Sequence, residues 1–298
     1  MNTFDDLFDN TKVKTDASRD HSFDKSDWME KKRLERTEAY KLLEKATEEI
    51  TNDPEKFRDF LNTQAQFDRY SVSNSLLIAY QRPGATRIAD FAVWKEEDVS
   101  INKGEKAITI LEPGNEYTRD DGSTAFSVNV KKVFDISQTS CAEINMRKRK
   151  PDERAAIKAL IESSPCEVVL VDELKTANAR YSADKNKIFI VKGLEGDEIF
   201  RSLAFEIGIA KCASNDIDRK DGMFAAYCSS YILCERNGFD TGNFNFEKVP
   251  ERFAKSEAKD RRRELGSIRE MANEISQDMI RQFEAMDRNR RARDDGAR

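Results

Sequence analysis

The chain has 298 residues, 38% of them hydrophobic and 36% charged, with a formal net charge of -5 and a pI near 5.4. That length and apolar content support two modest domains with charged extensions, and the acidic balance excludes a whole-protein attraction for nucleic acid, so any such site must be a local basic patch. No apolar run nears the roughly 20 residues needed to cross a bilayer, and the acidic start, with Asp5, Asp6 and Asp9, does not read as a signal peptide.

Residues 1–27 are polar and lack periodicity, and they are expected to be a disordered leader that contains His21, the one histidine of the chain. From Trp28 the apolar positions Leu34, Tyr40, Leu43, Ala46 and Ile50 recur at helical spacing, until Asn52-Asp53-Pro54 ends one helix and starts another that runs to about Phe67. A third, more apolar helix is predicted from Ser71 to Gln81, stopped by Arg82-Pro83-Gly84. Ile88–Trp94, Ala107–Leu111 and Ser127–Phe134 read as short strands, with turns at Lys103-Gly104 and Asp121-Gly122. Helices followed by a small antiparallel sheet make a first domain, residues 28–145.

The basic run Arg147-Lys148-Arg149-Lys150 and Pro151 mark the expected boundary. A helix over Asp152–Glu162 follows, then strands at Glu167–Val171 and Lys187–Val191 with Tyr181 in a short extended piece, then helices at about Gly196–Ala213 and Asp221–Asn237. Helix, small sheet and two helices make a second domain, residues 146–246. In the tail, residues 247–298, a long charged helix from Glu251 to Arg293 carries a stripe of Leu265, Ile268, Met271, Ile275, Met279, Ile280 and Phe283, suited to docking on the body or to pairing with a partner protein. The fold class is α+β throughout.

Five cysteines, Cys141, Cys166, Cys212, Cys228 and Cys234, are odd in number and without a C-x-x-C pair, which argues for a reducing, cytoplasmic setting over a disulfide framework. Cys228 and Cys234 stand six apart on one helix, about 240° around its axis, and do not converge on a metal.

Certain blocks of the first domain occur in a telling order: Tyr70-Ser-Val-Ser-Asn74 through Tyr80-Gln81-Arg-Pro, then Trp94-Lys95, then Ile101-Asn-Lys103-Gly104-Glu105-Lys106, then Val133-Phe134-Asp135-Ile136-Ser137-Gln138-Thr139. Between about Glu38 and Thr139 the chain thereby resembles the N-terminal domain of ArdC-type antirestriction proteins and LtrC-like proteins of conjugative elements. The resemblance implies a single-stranded DNA-binding domain of a plasmid or other mobile element. Binding a single strand without sequence preference needs aromatic faces beside cations. Tyr70, Asn74, Tyr80, Arg82, Arg87, Trp94, Lys103, Lys106, Lys131 and Lys132 are the residues proposed for it. On residue type alone, Trp94 and Tyr80 also suit a core and the lysines a solvated sheet face.

The second domain is similar to the zincin-like metallopeptidase domains that follow this N-terminal domain in the same proteins. Their helix carries H-E-x-x-H, two histidines one turn apart that bind zinc and a glutamate acting as base on the metal-bound water. Laid on Leu203–Ala210, the ligand positions are Phe205 and Ile209, and only Glu206 remains; the third, acidic ligand is replaced near Met223 and Phe224. These side chains offer zinc no nitrogen or oxygen donor. The expectation is a pseudoenzyme with no metal or other cofactor, in which Glu206 is either the partner of a nearby Arg or Lys or a vestigial base. Single-stranded DNA is the expected partner and a membrane is not.

Overall fold

The computed structural model describes residues 25–119, 121–142 and 152–296. The leader with His21 and the basic run Arg147–Lys150 lie outside the described residues. Three helices open the fold: α1 (Lys25–Thr51), α2 (Pro54–Gln66) and α3 (Val72–Gln81). Each boundary has a local cause. Asp53 caps α2 by accepting from the Glu55 and Lys56 amides, with Pro54 in the first turn, and Ser71 caps α3 by accepting from Asn74 N.

The first sheet has strand order β1-β3-β2 and is antiparallel throughout, with β1 (Ile88–Ala89), β2 (Ile108–Thr118) and β3 (Thr124–Asp135). Ile108 faces Val133 and Ile110 faces Lys131 across the hairpin. The strand expected at Ile88–Trp94 is instead the two residues of β1 followed by α4 (Phe91–Glu96). Asp90 decides this, because its carboxylate accepts from Val93 N and starts a helical turn where apolar alternation had suggested a strand. The hairpin is also longer than expected, since its outer arm is mostly exposed and carries no apolar alternation to betray it.

A helix α5 (Glu153–Glu162) leads into a second sheet of order β4-β6-β5, with β4 (Glu167–Val171) parallel to β6 (Lys187–Val191) and β5 (Ala179–Ser182) antiparallel to it. Helices α6 (Gly196–Ser214) and α7 (Arg219–Asn237) follow, and α7 ends on Gly238 at φ 77°. They approach closely where Gly208 meets Ala226 and Gly222 meets Cys212; a Cβ on Gly222 would stand 2.6 Å from the Cys212 sulfur. The tail, expected as one helix from Glu251, breaks into α8 (Val249–Phe253) and α9 (Ala258–Gly296). Arg261, in the first turn of α9, ties that break down, its Nε donating to Ser256 O and its Nη1 to Thr51 Oγ1.

One hydrophobic core runs through both halves. Phe57 and Leu61 of α2, Leu76 of α3, Leu203 of α6, Tyr231 of α7 and Leu265, Ile268, Ile275 and Met279 of α9 belong to it. The tail's apolar stripe therefore docks on the body, with Met271 and Phe283 packed at its margin and Ile280 left exposed. A smaller cluster of Phe67, Ile78, Ala85, Ile108, Ile110 and Val133 lies between α3 and the first sheet.

Candidate nucleic-acid interface and the face of α6

The cap of α3 and the turn before β2 converge. Arg82 follows the last residue of α3, and Lys103-Gly104-Glu105-Lys106 leads into β2; together with Gln81 and Gln138 they line an open concavity of about 590 Å³. Gly104 turns the backbone at φ 89° with open space around it. Gln138 fixes the turn from below, donating to Glu105 Oε2 and Lys106 O while accepting from Asp135 N. Asp135, buried, accepts from Thr86 N, Arg87 N and Ser137 N, which ties the preceding loop to the same platform. Arg82 is held by Ser137 Oγ at 2.8 Å, with Glu105 3.9 Å away. The Lys103 and Lys106 side chains are exposed and make no hydrogen bond or ion pair among the described residues. Three cations against one carboxylate leave this concavity a surplus of positive charge.

The other residues proposed from the sequence are placed differently. Trp94 is fully buried, its indole donates to Phe134 O, and Arg87 covers its ring at 4.8 Å while pairing with Glu97. No face of that ring is left for a base, so Trp94 is a core residue. Asn74 is 7% exposed and both ends of its amide are used, donating to Leu111 O at 2.7 Å and accepting from Leu111 N at 2.8 Å. Its role is to pair the edge of β2. Tyr80 is half-buried and donates to Glu49. Lys131 is 2.8 Å from Asp90 and 3.7 Å from Glu112, and this pairing holds the Asp90 carboxyl below and the Lys131 amine above their ordinary values. Lys132 donates to Thr109 Oγ1 on the opposite sheet face, and Tyr70 lines a separate concavity with Lys131. Of the ten residues, the structure brings Arg82, Lys103 and Lys106 together at one concavity and Tyr70, Asn74 and Lys131 at the other.

In the second half, Glu206 of α6 is 2% exposed and held from two other elements. Arg219, at the start of α7, donates to both its oxygens at 2.7 and 2.5 Å, and the Tyr181 amide of edge strand β5 donates to Oε2 at 2.8 Å. Arg219 also lies over the Phe205 ring at 5.6 Å. The donor set does not fit a metal. Phe205 and Ile209 offer no lone pair, the carboxylate of Glu206 is engaged, and among the described residues no group of three or more His, Cys, Asp or Glu is placed to hold an ion. Phe224 does not join this face, contrary to expectation. Gly222 and Ala226 are the α7 residues against α6, and Phe224, two positions from each, is about 200° away around the helix. It packs instead on Phe57 and Phe253. Arg219 was the residue missed; its only signal in the sequence was the buried glutamate's need for a cation, which does not say which one.

Residues 35–156 match the model of the N-terminal domain of anti-restriction factor ArdC. The crystal structure of antirestriction ArdC protein from R388 plasmid, metal-free, is similar with a TM-score of 0.53 over 71% of this chain and 86% of that one, at 15% identity. Its Mn(II)-bound structure gives 0.49 over 70% and 85%, at 16% identity. An uncharacterized protein of Bacillus anthracis is 26% identical over 273 residues, spanning 72% of this chain and 46% of its own length. The chain thus spans less than half the length of that curated relative.

Proposed function

We propose, from the premise that this chain is an ArdC-like protein, that it is a non-catalytic accessory factor that binds single-stranded DNA through the concavity of Arg82, Lys103 and Lys106 and serves antirestriction when a mobile element enters a cell as a single strand. The observation that carries this reading is the meeting of an anchored guanidinium with two lysines, unpaired among the described residues, on a glycine turn inside the part of the chain that matches the ArdC N-terminal domain. Such a site neutralises phosphates without reading bases. On this reading residues 28–145 contact DNA, residues 146–246 are a scaffold with a zincin-like layout whose metal face has been filled, residues 247–298 brace both, and the protein works in the cytoplasm.

The second half supports the non-catalytic part. A zincin needs a metal-bound water beside a free glutamate. Here the glutamate is clamped by Arg219 and a backbone amide, and the flanking ligand positions are apolar. Its chemistry is that of a strut between α6, β5 and α7.

Fluorescence anisotropy with an unstructured oligonucleotide tests the proposal. Salt-sensitive binding is expected, and replacing Lys103 and Lys106 by Ala reduces the slope of log K against log salt by about 0.7 per lysine. Absence of binding at low ionic strength overturns it.

A further inference from the structure

Resting on the single-strand reading above, we propose that a second concavity, further along β2, receives an unstacked base of the same strand. It encloses about 630 Å³ and is walled by Tyr70, Ile88, Val93, Ile110, Pro113 and Val133. Its charged groups are Arg69 and Lys131, set against Asp90 and Glu112, and Ser71 and Asn74 add neutral polar groups.

Charge separates this concavity from the first. Two cations and two carboxylates cancel, and Lys131 is already shared between Asp90 and Glu112, so a phosphate finds no net attraction here. A neutral planar ring does find a place. Its faces meet apolar side chains, its N–H donors meet carboxylate oxygens, and its ring acceptors meet the Arg69 guanidinium. The lysine turn, by contrast, has an excess of cations and few apolar walls. The two concavities thus match the two chemically different parts of a nucleotide.

Tyr70 is set in place before any ligand arrives. Its ring stands edge-on to Phe67, with centroids 5.7 Å apart, and its carbonyl accepts from Arg269 Nε at 2.8 Å. A wall held in this way loses little side-chain freedom when a base packs on it. Position along the strand also fits. Ala107 and Ile108 line the basic concavity and Ile110 and Leu111 the second. At about 3.4 Å per residue, Ala107 and Ile110 are roughly 10 Å apart, within reach of neighbouring nucleotides of one strand.

Two oligonucleotides of equal length and backbone charge test this, one carrying all its bases and one abasic at alternate positions. The wild-type protein is expected to bind the first about tenfold more tightly, the scale of one base stacked on an aromatic wall. Tyr70→Leu, which removes the aromatic wall, should abolish that margin, and Val93→Met, which narrows the concavity without adding a ring that could itself stack on a base, should reduce it. Val93 is 38% exposed, so Val93→Met acts from the surface without disturbing the core. Circular dichroism verifies that each variant is folded. Equal binding of the two strands by the wild type, or a folded Tyr70→Leu with an undiminished margin, overturns the base pocket and leaves single-strand binding standing. Failure of the wild type to bind either strand overturns single-strand binding itself.

Discussion

Glu206 shows how the meaning of a residue changes with its neighbours. On the zincin-like layout proposed above, this glutamate would stand where a base does, and a base needs an oxygen free to take a proton from water. Here both oxygens accept from Arg219, and one also accepts from Tyr181 N, so the carboxylate is saturated with donors. Breaking a buried ion pair strands the remaining charge, which costs ~3–5 kcal/mol. Arg219 keeps a quarter of its side-chain surface in water, which places this case at the low end. Glu206→Ala should therefore lower the urea midpoint by the equivalent of about 3 kcal/mol without changing oligonucleotide affinity. Metal analysis of the purified protein gives a second check at this scale. Phe205 and Ile209 supply no donors, so stoichiometric zinc or manganese surviving dialysis is not expected, and finding it would require a different reading of this helix.

At the scale of elements, α3 and β2 are joined in an unusual way. Asn74 and Gln81 are seven residues apart, two helical turns, and so share one face of α3. Each side-chain amide pairs with the backbone N–H and C=O of one β2 residue, Asn74 with Leu111 and Gln81 with Thr109. The helix thereby closes the strand edge that the sheet order leaves open. This placement is also what sets Arg82, the next residue, beside the lysine turn. Gln81→Leu would leave Thr109 with unpaired groups at a partly buried edge, a loss of about 1–3 kcal/mol. Hydrogen exchange provides the readout: the Thr109 amide should exchange faster in the variant, while the amides of α6 and α7 keep their protection.

The whole molecule is held by α9. Arg269 and Asn273 bind the backbone carbonyls of Tyr70 and Asp68, Arg261 binds the end of α1, and Lys211 of α6 reaches Glu274 and Asp278. Between these polar ties, Leu265, Ile268, Ala272, Ile275 and Met279 lie in the core. Burying each large apolar side chain is worth about 1.5–3 kcal/mol, and a domain's total stability is ~5–15 kcal/mol. A chain ending after Ser256 should therefore lose its cooperative thermal transition, in the first half as well as the second. A protein whose halves were independent would keep one transition.

Much of this fold was legible in the residues. The capped helices α2 and α3, the strands Glu167–Val171 and Lys187–Val191 and the helix pair α6 and α7 follow from periodicity, caps and breakers, which act within a few residues of themselves. The ordered blocks between Glu38 and Thr139 carried the resemblance to the ArdC N-terminal domain, and the lack of donor atoms in the side chains of Phe205 and Ile209 is a property of the sequence alone. The tertiary structure decided what depends on contacts distant in the chain. It buried Trp94 and Asn74, turned Phe224 away from α6, selected Arg219 as the partner of Glu206, and drew α9 into the core. A side chain's type states what it can do; whether a tryptophan stacks on a base or fills a core depends on which distant residues exclude water from it, and only the packed molecule determines that.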